Sequence, residues 1–192
     1  MYGPGDLRAF DRFARLYDAA MPPARRAPVE TALRLADDSV DLLLDVAGGP
    51  GRASARLDVS RAVVVDAAPG MARRARARGR EALLGDAGRL PVADASADAV
   101  LIADALHHLP DRDAAVAAAR DVLRPGGVLV VREFDPGTLR GRALVAAEHA
   151  VGLSSRFEGP DELTDRMARV GLVPTVVDRG FGYTVVGKRE GH

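Results

Sequence analysis

Five short apolar runs, separated by segments with helical spacing, restrict the fold of this chain more than any other feature. The runs cover residues 42–46, 62–66, 82–86, 99–103 and 128–131. Runs that are apolar on both faces are typical of parallel strands covered by helices. Helical patterns lie between them near residues 69–79 and 112–123, with Asp111 as the N-cap of the second. This alternation predicts a doubly wound α/β sheet with helices on both faces.

The chain beyond the fifth run completes the predicted sheet. Helices are expected near residues 139–151 and 160–170, followed by a closing antiparallel pair of strands at 172–178 and 181–187. The sheet should therefore have about seven strands, most of them parallel. Pro125-Gly126-Gly127 is expected to end a helix and turn into the fifth strand.

The start of the chain is predicted to be helical. An amphipathic helix is indicated by the apolar residues Leu7, Phe10, Phe13, Ala14 and Tyr17. A second helix is expected from about Ala24 to Leu35. We expect one domain over residues 1–192, comprising a helical cap at 1–38, a ligand-binding core at 39–134, and substrate-side helices with the closing strand pair at 135–192.

The composition excludes several classes of site and partner. The 192 residues include no cysteine, which excludes disulfides and thiolate ligands, and we expect no metal site. Basic and acidic residues number 27 each, so no net charge attracts nucleic acid. The one basic cluster, between Arg73 and Arg80, carries no interleaved aromatic side chain and is interpreted as a solvated helix face. We therefore expect no nucleic-acid partner.

No stretch of the sequence is predicted to cross a membrane. The longest wholly apolar runs are about five residues, whereas a spanning helix needs roughly 20. Near the N-terminus, charged residues including Asp6 and Arg8 stand where a signal peptide would need an apolar stretch. We expect a cytoplasmic protein. The sequence allows a homodimer without indicating one.

The first apolar run ends in a glycine-rich loop, Asp45-Val46-Ala47-Gly48-Gly49-Pro50-Gly51. In open α/β sheets, ligands bind beyond the carboxyl ends of the strands, and glycines let the backbone approach them closely. A dinucleotide favours Gly-x-Gly-x-x-Gly, but Ser54 stands where the third glycine would be. The acid Asp45 would also repel a pyrophosphate. It suits a ligand with an ammonium group, such as S-adenosylmethionine (SAM).

Acids also end the next two apolar runs. Asp66 lies 21 residues after Asp45 and could accept hydrogen bonds from both hydroxyls of a ribose. Asp86 could accept from an adenine amino group. Each acid could instead cap a helix or start a turn. Three acids at successive strand ends nevertheless favour a neutral or cationic nucleoside over a phosphate.

These segments together resemble a class I SAM-dependent methyltransferase of the type 11 group, a Rossmann-like fold. The resemblance covers roughly residues 41–133 and includes His107-His108-Leu109-Pro110-Asp111 and Val122-Leu123-Arg124-Pro125-Gly126-Gly127. Within the superfamily the chain looks most similar to the C-methyltransferases of ubiquinone and menaquinone biosynthesis. It differs from them in carrying His107-His108 where they usually have an Arg-Asn pair, and in being shorter after the fifth strand.

The resemblance implies which residues contact the cofactor and the acceptor. The cofactor set is Tyr17, Asp45, Ala47, Gly48, Gly49, Gly51, Asp66, Ala67, Met71, Asp86, Ala87 and Ala103. His107 is the candidate general base and His108 a substrate contact, because histidine titrates near neutral pH. The alternatives are hydrogen-bonded loop histidines, a core-facing Met71, and core packing of Tyr17.

Methyl transfer from SAM to a small molecule, with S-adenosylhomocysteine as product, is the predicted activity. A ring carbon of a quinol or phenol is one acceptor class, and an oxygen or nitrogen of another metabolite is the alternative. A cofactor-binding regulatory subunit without chemistry and a nicotinamide-dependent dehydrogenase also stay open, the latter disfavoured by the loop.

Overall fold

A seven-stranded sheet in the order β3-β2-β1-β4-β5-β7-β6 forms the centre of the computed structural model, which describes residues 26–150 and 152–191. The strands are β1 (Leu42–Val46), β2 (Arg61–Asp66), β3 (Glu81–Leu84), β4 (Ala97–Ala103), β5 (Leu123–Phe134), β6 (Val173–Asp178) and β7 (Gly182–Lys188). β1 to β5 pair in parallel, whereas β7 is antiparallel to both of its neighbours. The predicted doubly wound sheet with a closing antiparallel pair is confirmed.

Five α-helices are described, and two single 3-10 turns accompany them, at Ser54–Arg56 and Leu106–His108. The helices are α1 (Arg26–Leu33), α2 (Pro69–Ala77), α3 (Arg112–Val122), α4 (Leu139–Ala150) and α5 (Pro160–Arg169). Asp111 caps α3 as predicted, because its side chain accepts from the amide of Ala114 at 2.9 Å. The predicted first helix lies outside the described residues.

Alternate residues of each central strand enter two separate apolar clusters, one on each face of the sheet. In β1, Leu44 and Val46 pack with α3 and α5 on one face, whereas Leu43 packs with α1 on the other. Each side chain of this kind contributes about 2 kcal/mol when fully buried. This double burial explains why the strands are apolar at every position instead of alternating.

The Pro125–Gly127 segment differs from the prediction. α3 ends at Val122, and β5 begins at Leu123, so these residues lie within a bulge of β5 and do not precede it. Gly126 has a φ of +80°, and its amide donates to the carbonyl of Arg189 at 2.7 Å. The amide of Arg189 donates in return to Gly127 at 2.9 Å. Pairing with the chain after β7, which sequence cannot show, thus extends the strand.

The order of the strands places a crevice at the carboxyl ends of β1 and β4. After β1 the chain adds β2 and β3 on one side of it, and then crosses over to add β4 on its other side. This reversal is the position where doubly wound sheets bind their ligands. Within the described part of the chain, no helix combines the length and apolarity needed to cross a membrane.

Candidate active site

Asp45, at the end of β1, is completely buried beneath the loop that follows it. Its Oδ2 atom accepts a hydrogen bond from the hydroxyl of Ser54 at 2.5 Å. A Cβ atom on Gly48 would lie 2.4 Å from Cγ of Asp45, so only glycine leaves room for the carboxyl group. Its Oδ1 atom is enclosed, and no described residue donates a hydrogen bond to it. Burial raises the pKa of Asp45 to about 6, although hydrogen bonds from Ser54 oppose the rise.

The loop itself, residues 47–51, forms a tight turn that we call the glycine turn. Gly49 has a φ of +56° and Gly51 a φ of +73°, conformations that glycine adopts without steric cost. Ala47 has a φ of +54°, which in a residue with a side chain costs roughly 1–3 kcal/mol. Such strain concentrates where a backbone must present itself to a ligand. The sulfur of Met71 faces the turn, 3.6 Å from where a Cβ on Gly49 would be.

Asp66, at the end of β2, ties the glycine turn to the second strand. Its Oδ2 atom accepts from the amide of Gly49 at 2.9 Å, and its Oδ1 atom accepts from the amide of Ala68 at 2.8 Å. Each carboxylate oxygen keeps a further lone pair, so ribose hydroxyls could still donate to it. Burial raises the pKa of Asp66, and the two amides oppose the rise. This clamp on the turn was not anticipated from sequence.

The third acid follows β3, next to the end of β2, where the amide of Gly85 donates to the backbone carbonyl of Asp66 at 3.1 Å. Asp86 is exposed and starts a turn by accepting from the amide of Gly88 at 2.8 Å, as the alternative interpretation held. It also lines a cavity of about 200 Å³ between the end of β3 and the start of α3. Leu109 and Pro110 supply its apolar wall, and buried Ala87 lines it next to Asp86. An adenine ring requires such an apolar slot with a polar edge.

The turn after β4 brings His107 against the end of β5. Nδ1 of His107 lies 2.6 Å from Oε2 of Glu133, and both side chains are about 3% exposed. Oε1 of Glu133 also accepts from the amide of Leu106 at 2.7 Å. The imidazole stacks on Phe157, with 4.2 Å between the ring centroids. Glu133 therefore holds the ring in place and keeps a proton on Nδ1.

The sequence that forms this site matches a known family. Residues 44–131 agree with the family model described as a methyltransferase domain. Residues 44–131 form a methyltransferase domain. This domain begins in β1 and ends in β5, so it includes the glycine turn, all three strand-end acids and His107. Glu133 lies just beyond it.

Curated relatives extend the similarity beyond the methyltransferase domain. The chain is 32% identical over 185 residues to a malonyl-[acyl-carrier protein] O-methyltransferase of Xylella fastidiosa, covering 90% of this chain and 63% of the relative. It is 37% identical over 147 residues to a demethylmenaquinone methyltransferase of Mycobacterium sp., covering 73% of this chain and 64% of the relative. The chain thus spans less than two thirds of the length of these relatives.

Solved structures agree on the fold. A SAM-dependent methyltransferase from Thermotoga maritima superposes with a TM-score of 0.81 at 23% identity, covering 96% of this chain and 99% of that one. At this level of identity the match establishes the fold alone. The predicted Rossmann-like methyltransferase architecture is confirmed.

The crevice of the methyltransferase domain fits the cofactor that the fold implies. Asp45 offers an enclosed oxygen without a donor, the glycine turn presents its backbone without side chains, and Asp66 keeps free lone pairs. Ala67, just after β2, and Ala103, at the end of β4, are half-buried. Tyr17, predicted to contact the cofactor, lies outside the described residues. The cofactor assignment of these residues stays a prediction.

Glu148 is a site residue that the sequence analysis missed. It lies on α4, and its Oε1 atom is 3.7 Å from Nε2 of His107, on the side of the ring opposite Glu133. Glu148 is the only acid in α4, which is the one sequence signal that could have drawn attention to it. We call His107, Glu133 and Glu148 together the His107 cluster.

The two carboxylates decide the charge of the His107 cluster. Burial alone would lower the pKa of His107, but the charges and hydrogen bonds of Glu133 and Glu148 raise it to about 9. Burial opposes ionisation of both glutamates, yet His107 holds the pKa of each below its usual value. Near neutral pH the cluster therefore contains an imidazolium between two carboxylates.

His108 stands beside the cluster with a different charge. Burial, and then the charge on His107, lower its pKa to about 4, so it is neutral near pH 7. The nitrogen and oxygen atoms of His107, His108 and Glu148 lie within 4.8 Å of one another, close enough for a metal ion. The sequence analysis, which expected no metal site, did not anticipate this grouping. The protonated imidazole of His107 has no lone pair for a metal, so a metal ion would have to displace that proton.

A second ion pair, between Asp104 and Arg132, lies next to the His107 cluster. Asp104 has a φ of +55°, and its carboxylate pairs with the guanidinium of Arg132. The central carbon of that guanidinium lies 4.3 Å from the centroid of the Phe134 ring. Burial raises the pKa of Asp104 to about 6, Arg132 opposes the rise, and Glu133 adds to it. The strained backbone of Asp104 thus lies at the end of β4, facing the crevice.

Proposed function

We propose that this chain transfers a methyl group from SAM to a small-molecule acceptor bound beside His107. The observation that carries the proposal is the pair of buried carboxylates at the glycine turn, Asp45 and Asp66. Buried carboxylates favour a cationic ligand and disfavour a pyrophosphate. The methyltransferase domain supports the same conclusion.

Each part of the crevice has a proposed task in holding the cofactor. Asp45 and the glycine turn, including Ala47, Gly48, Gly49 and Gly51, would hold the methionine end. Asp66 and Ala67 would bind the ribose, and Met71, Asp86 and Ala87 would surround the adenine. Ala103 would contact the cofactor from the end of β4, and Tyr17 would close over its methionine end.

When bound, SAM supplies an electrophilic methyl group whose departure leaves a neutral thioether. Little acid catalysis is therefore required of the protein. Its residues must align the acceptor and exclude water. Phe134 and Phe157, which flank His107, provide apolar walls for this purpose.

Two acceptor classes fit this site, and the relatives include an example of each. A ring carbon of a quinol or phenol must lose a proton at some stage, and His107 is the candidate base, directly or through a water. His108 would then contact the acceptor. An oxygen acceptor is the second class, as the name of the O-methyltransferase relatives indicates, and a carboxylate oxygen would need no base. A quinol-type acceptor requires the neutral form of His107, which its two glutamates disfavour.

The proposal is tested first by binding and then by transfer. Calorimetry should show binding of SAM and S-adenosylhomocysteine, and weaker binding of NAD. Incubation with methyl-labelled SAM and a panel of carboxylic acids, hydroquinones, phenols and amines should label at least one acceptor class. Binding without any labelled product would favour the regulatory-subunit alternative. Preferential NAD binding would overturn the proposal. Light scattering on the same sample would show whether the chain forms a homodimer in solution.

A further inference from the structure

The two carboxylates of the His107 cluster are held very differently. Glu133 lies 2.6 Å from Nδ1 of the imidazole, and it accepts hydrogen bonds from the amide of Leu106 at 2.7 Å and from the amide of Phe134 at 3.3 Å. Glu148 approaches only to 3.7 Å of Nε2. The Ser155 side chain also contacts it and helps to lower its pKa, but no described residue forms a well-aligned hydrogen bond to its enclosed Oε2 atom. Glu133 is therefore an anchored partner of His107, and Glu148 a loosely held one.

The helix that carries Glu148 is itself weakly packed. Gly141 is the only residue of α4 that is buried, and Leu139 at its start is 84% exposed. Near the end of the helix, Nε2 of His149 lies 3.0 Å from the carbonyl oxygen of Ser155, which follows the helix in the chain. A helix with so little buried apolar surface can shift at a small cost in free energy. Glu148 can consequently leave Nε2 without unfolding the core.

From this arrangement we infer that the acceptor carries a carboxylate, and that Nε2 of His107 binds it in the position that Glu148 occupies here. This inference rests on the proposed function and narrows its acceptor class. Glu148 is then an internal substitute for the substrate anion. It covers the buried cation until the acceptor arrives.

The surrounding charges support an anionic acceptor. The charged groups facing His107 are Glu133 on β5 and Glu148 on α4, with Asp104 and its partner Arg132 further away and His108 neutral. Once Glu148 leaves, Glu133 balances His107, and Arg132 balances Asp104. The sulfonium of SAM beside these two balanced pairs adds one uncompensated positive charge. One carboxylate of the acceptor would neutralise that charge.

Carboxylate methylation also suits the protonation state of the cluster. An imidazolium has no lone pair with which to take a proton. An acceptor carboxylate needs no deprotonation: one oxygen uses its own lone pair to bond the methyl carbon, and the carbon–sulfur bond breaks towards sulfur. The products are a neutral methyl ester and a neutral thioether, and no proton is released. His107 would hold the other oxygen and orient the nucleophile.

Histidine-selective NMR provides a test that does not depend on turnover. The chain has only four histidines, so ring signals can be assigned by single substitutions. With S-adenosylhomocysteine bound, benzoate should shift the His107 signals, and its uncharged analogue benzamide should not. Glu148→Gln removes the competing anion and should tighten benzoate binding at least threefold, whereas Glu190→Gln, at an exposed glutamate, should leave it unchanged.

The same experiments can overturn the inference. Equal responses to benzoate and benzamide would contradict it, as would unchanged benzoate affinity in both Glu148→Gln and Glu148→Ala. Circular dichroism melts would confirm that the variants fold.

In the transfer assay, a methyl ester releases labelled methanol in alkali, whereas methyl groups on carbon, nitrogen or phenol oxygen stay attached. Alkali-stable label on a hydroquinone would sustain the proposed function and refute this inference. Failure to bind S-adenosylhomocysteine would refute the proposed function itself.

Discussion

The carboxyl group of Asp45 fills the space that a side chain on Gly48 would need. A Cβ atom at position 48 would lie 2.4–2.6 Å from three atoms of that group, well inside van der Waals contact. Because Asp45 is fully buried and bonded to Ser54, it cannot move aside without losing that hydrogen bond. The acid at the end of β1 and the glycine three residues later therefore form one structural unit.

Gly48→Ala should break this unit. We expect a loss of about 1–3 kcal/mol in the free energy of unfolding, the usual cost of overpacking, and at least tenfold weaker binding of S-adenosylhomocysteine. Thermal melts and calorimetry would measure the two effects. Gly159→Ala is the matched control, because its Cβ would meet only Asp135, at 3.9 Å. Normal cofactor binding by Gly48→Ala would show that Asp45 has no part in holding the ligand.

Asp66→Asn should release the glycine turn from β2. The amides of Gly49 and Ala68 both donate to this carboxylate, and an asparagine can accept with only one of its two terminal atoms. One buried donor is then left unsatisfied, at a cost of about 1–3 kcal/mol. We also expect cofactor affinity to fall more than tenfold. Asp58→Asn, at an exposed position, provides the control in the same titration.

Cofactor binding should weaken in acid. Burial raises the pKa of Asp45 to about 6, and a cationic ligand binds the ionised form. Affinity should therefore be full above that pH and decline as Asp45 takes up a proton, by about tenfold between pH 7 and pH 5. Asp66, whose pKa is also raised, should steepen the decline. Calorimetric titrations at several pH values would check this, and a flat profile from pH 5 to 7 would contradict it.

His107→Ala should slow methyl transfer at least tenfold while changing cofactor affinity less than twofold. The imidazole lies beside the proposed acceptor position, and the proposed cofactor contacts at the glycine turn do not include it. Whether it acts as a base or as an anion-binding group, its loss should affect turnover. Glu190→Gln is the control, since that glutamate is exposed. Unchanged kinetics in His107→Ala would reject both roles.

The His107 cluster should also make stability depend on pH. Glu133 and Glu148 overcome the effect of burial and raise the pKa of His107 from 6.5 to about 9. The stabilisation is therefore complete below pH 6.5 and is lost as the pH rises through about 9. Asp45 and Asp104, whose pKa values rise to about 6, titrate below this window. Denaturant unfolding between pH 6.5 and 9 should show a decline that His107→Gln abolishes.

The sequence alone determined the layered sheet and the edge of the sheet at which we propose that its ligand binds. Double-sided apolar runs such as 42–46 specify buried parallel strands, and the acids that follow them must meet where those strands end. These features are local or follow from the topology, so periodicity and strand ends were sufficient to predict them. Among the features of this edge, the clamp role of Asp66 required coordinates, since it depends on a contact with a different loop.

Tertiary structure alone decided the chemistry around His107. Its partners lie 26 and 41 residues further along the chain, on β5 and α4, and no spacing rule brings them to opposite sides of one ring. Because histidine titrates near neutral pH, the sequence could identify His107 as a candidate base. Packing against two glutamates in a buried space made it a cation, because the electrostatic field at a side chain depends on which distant residues the fold places beside it.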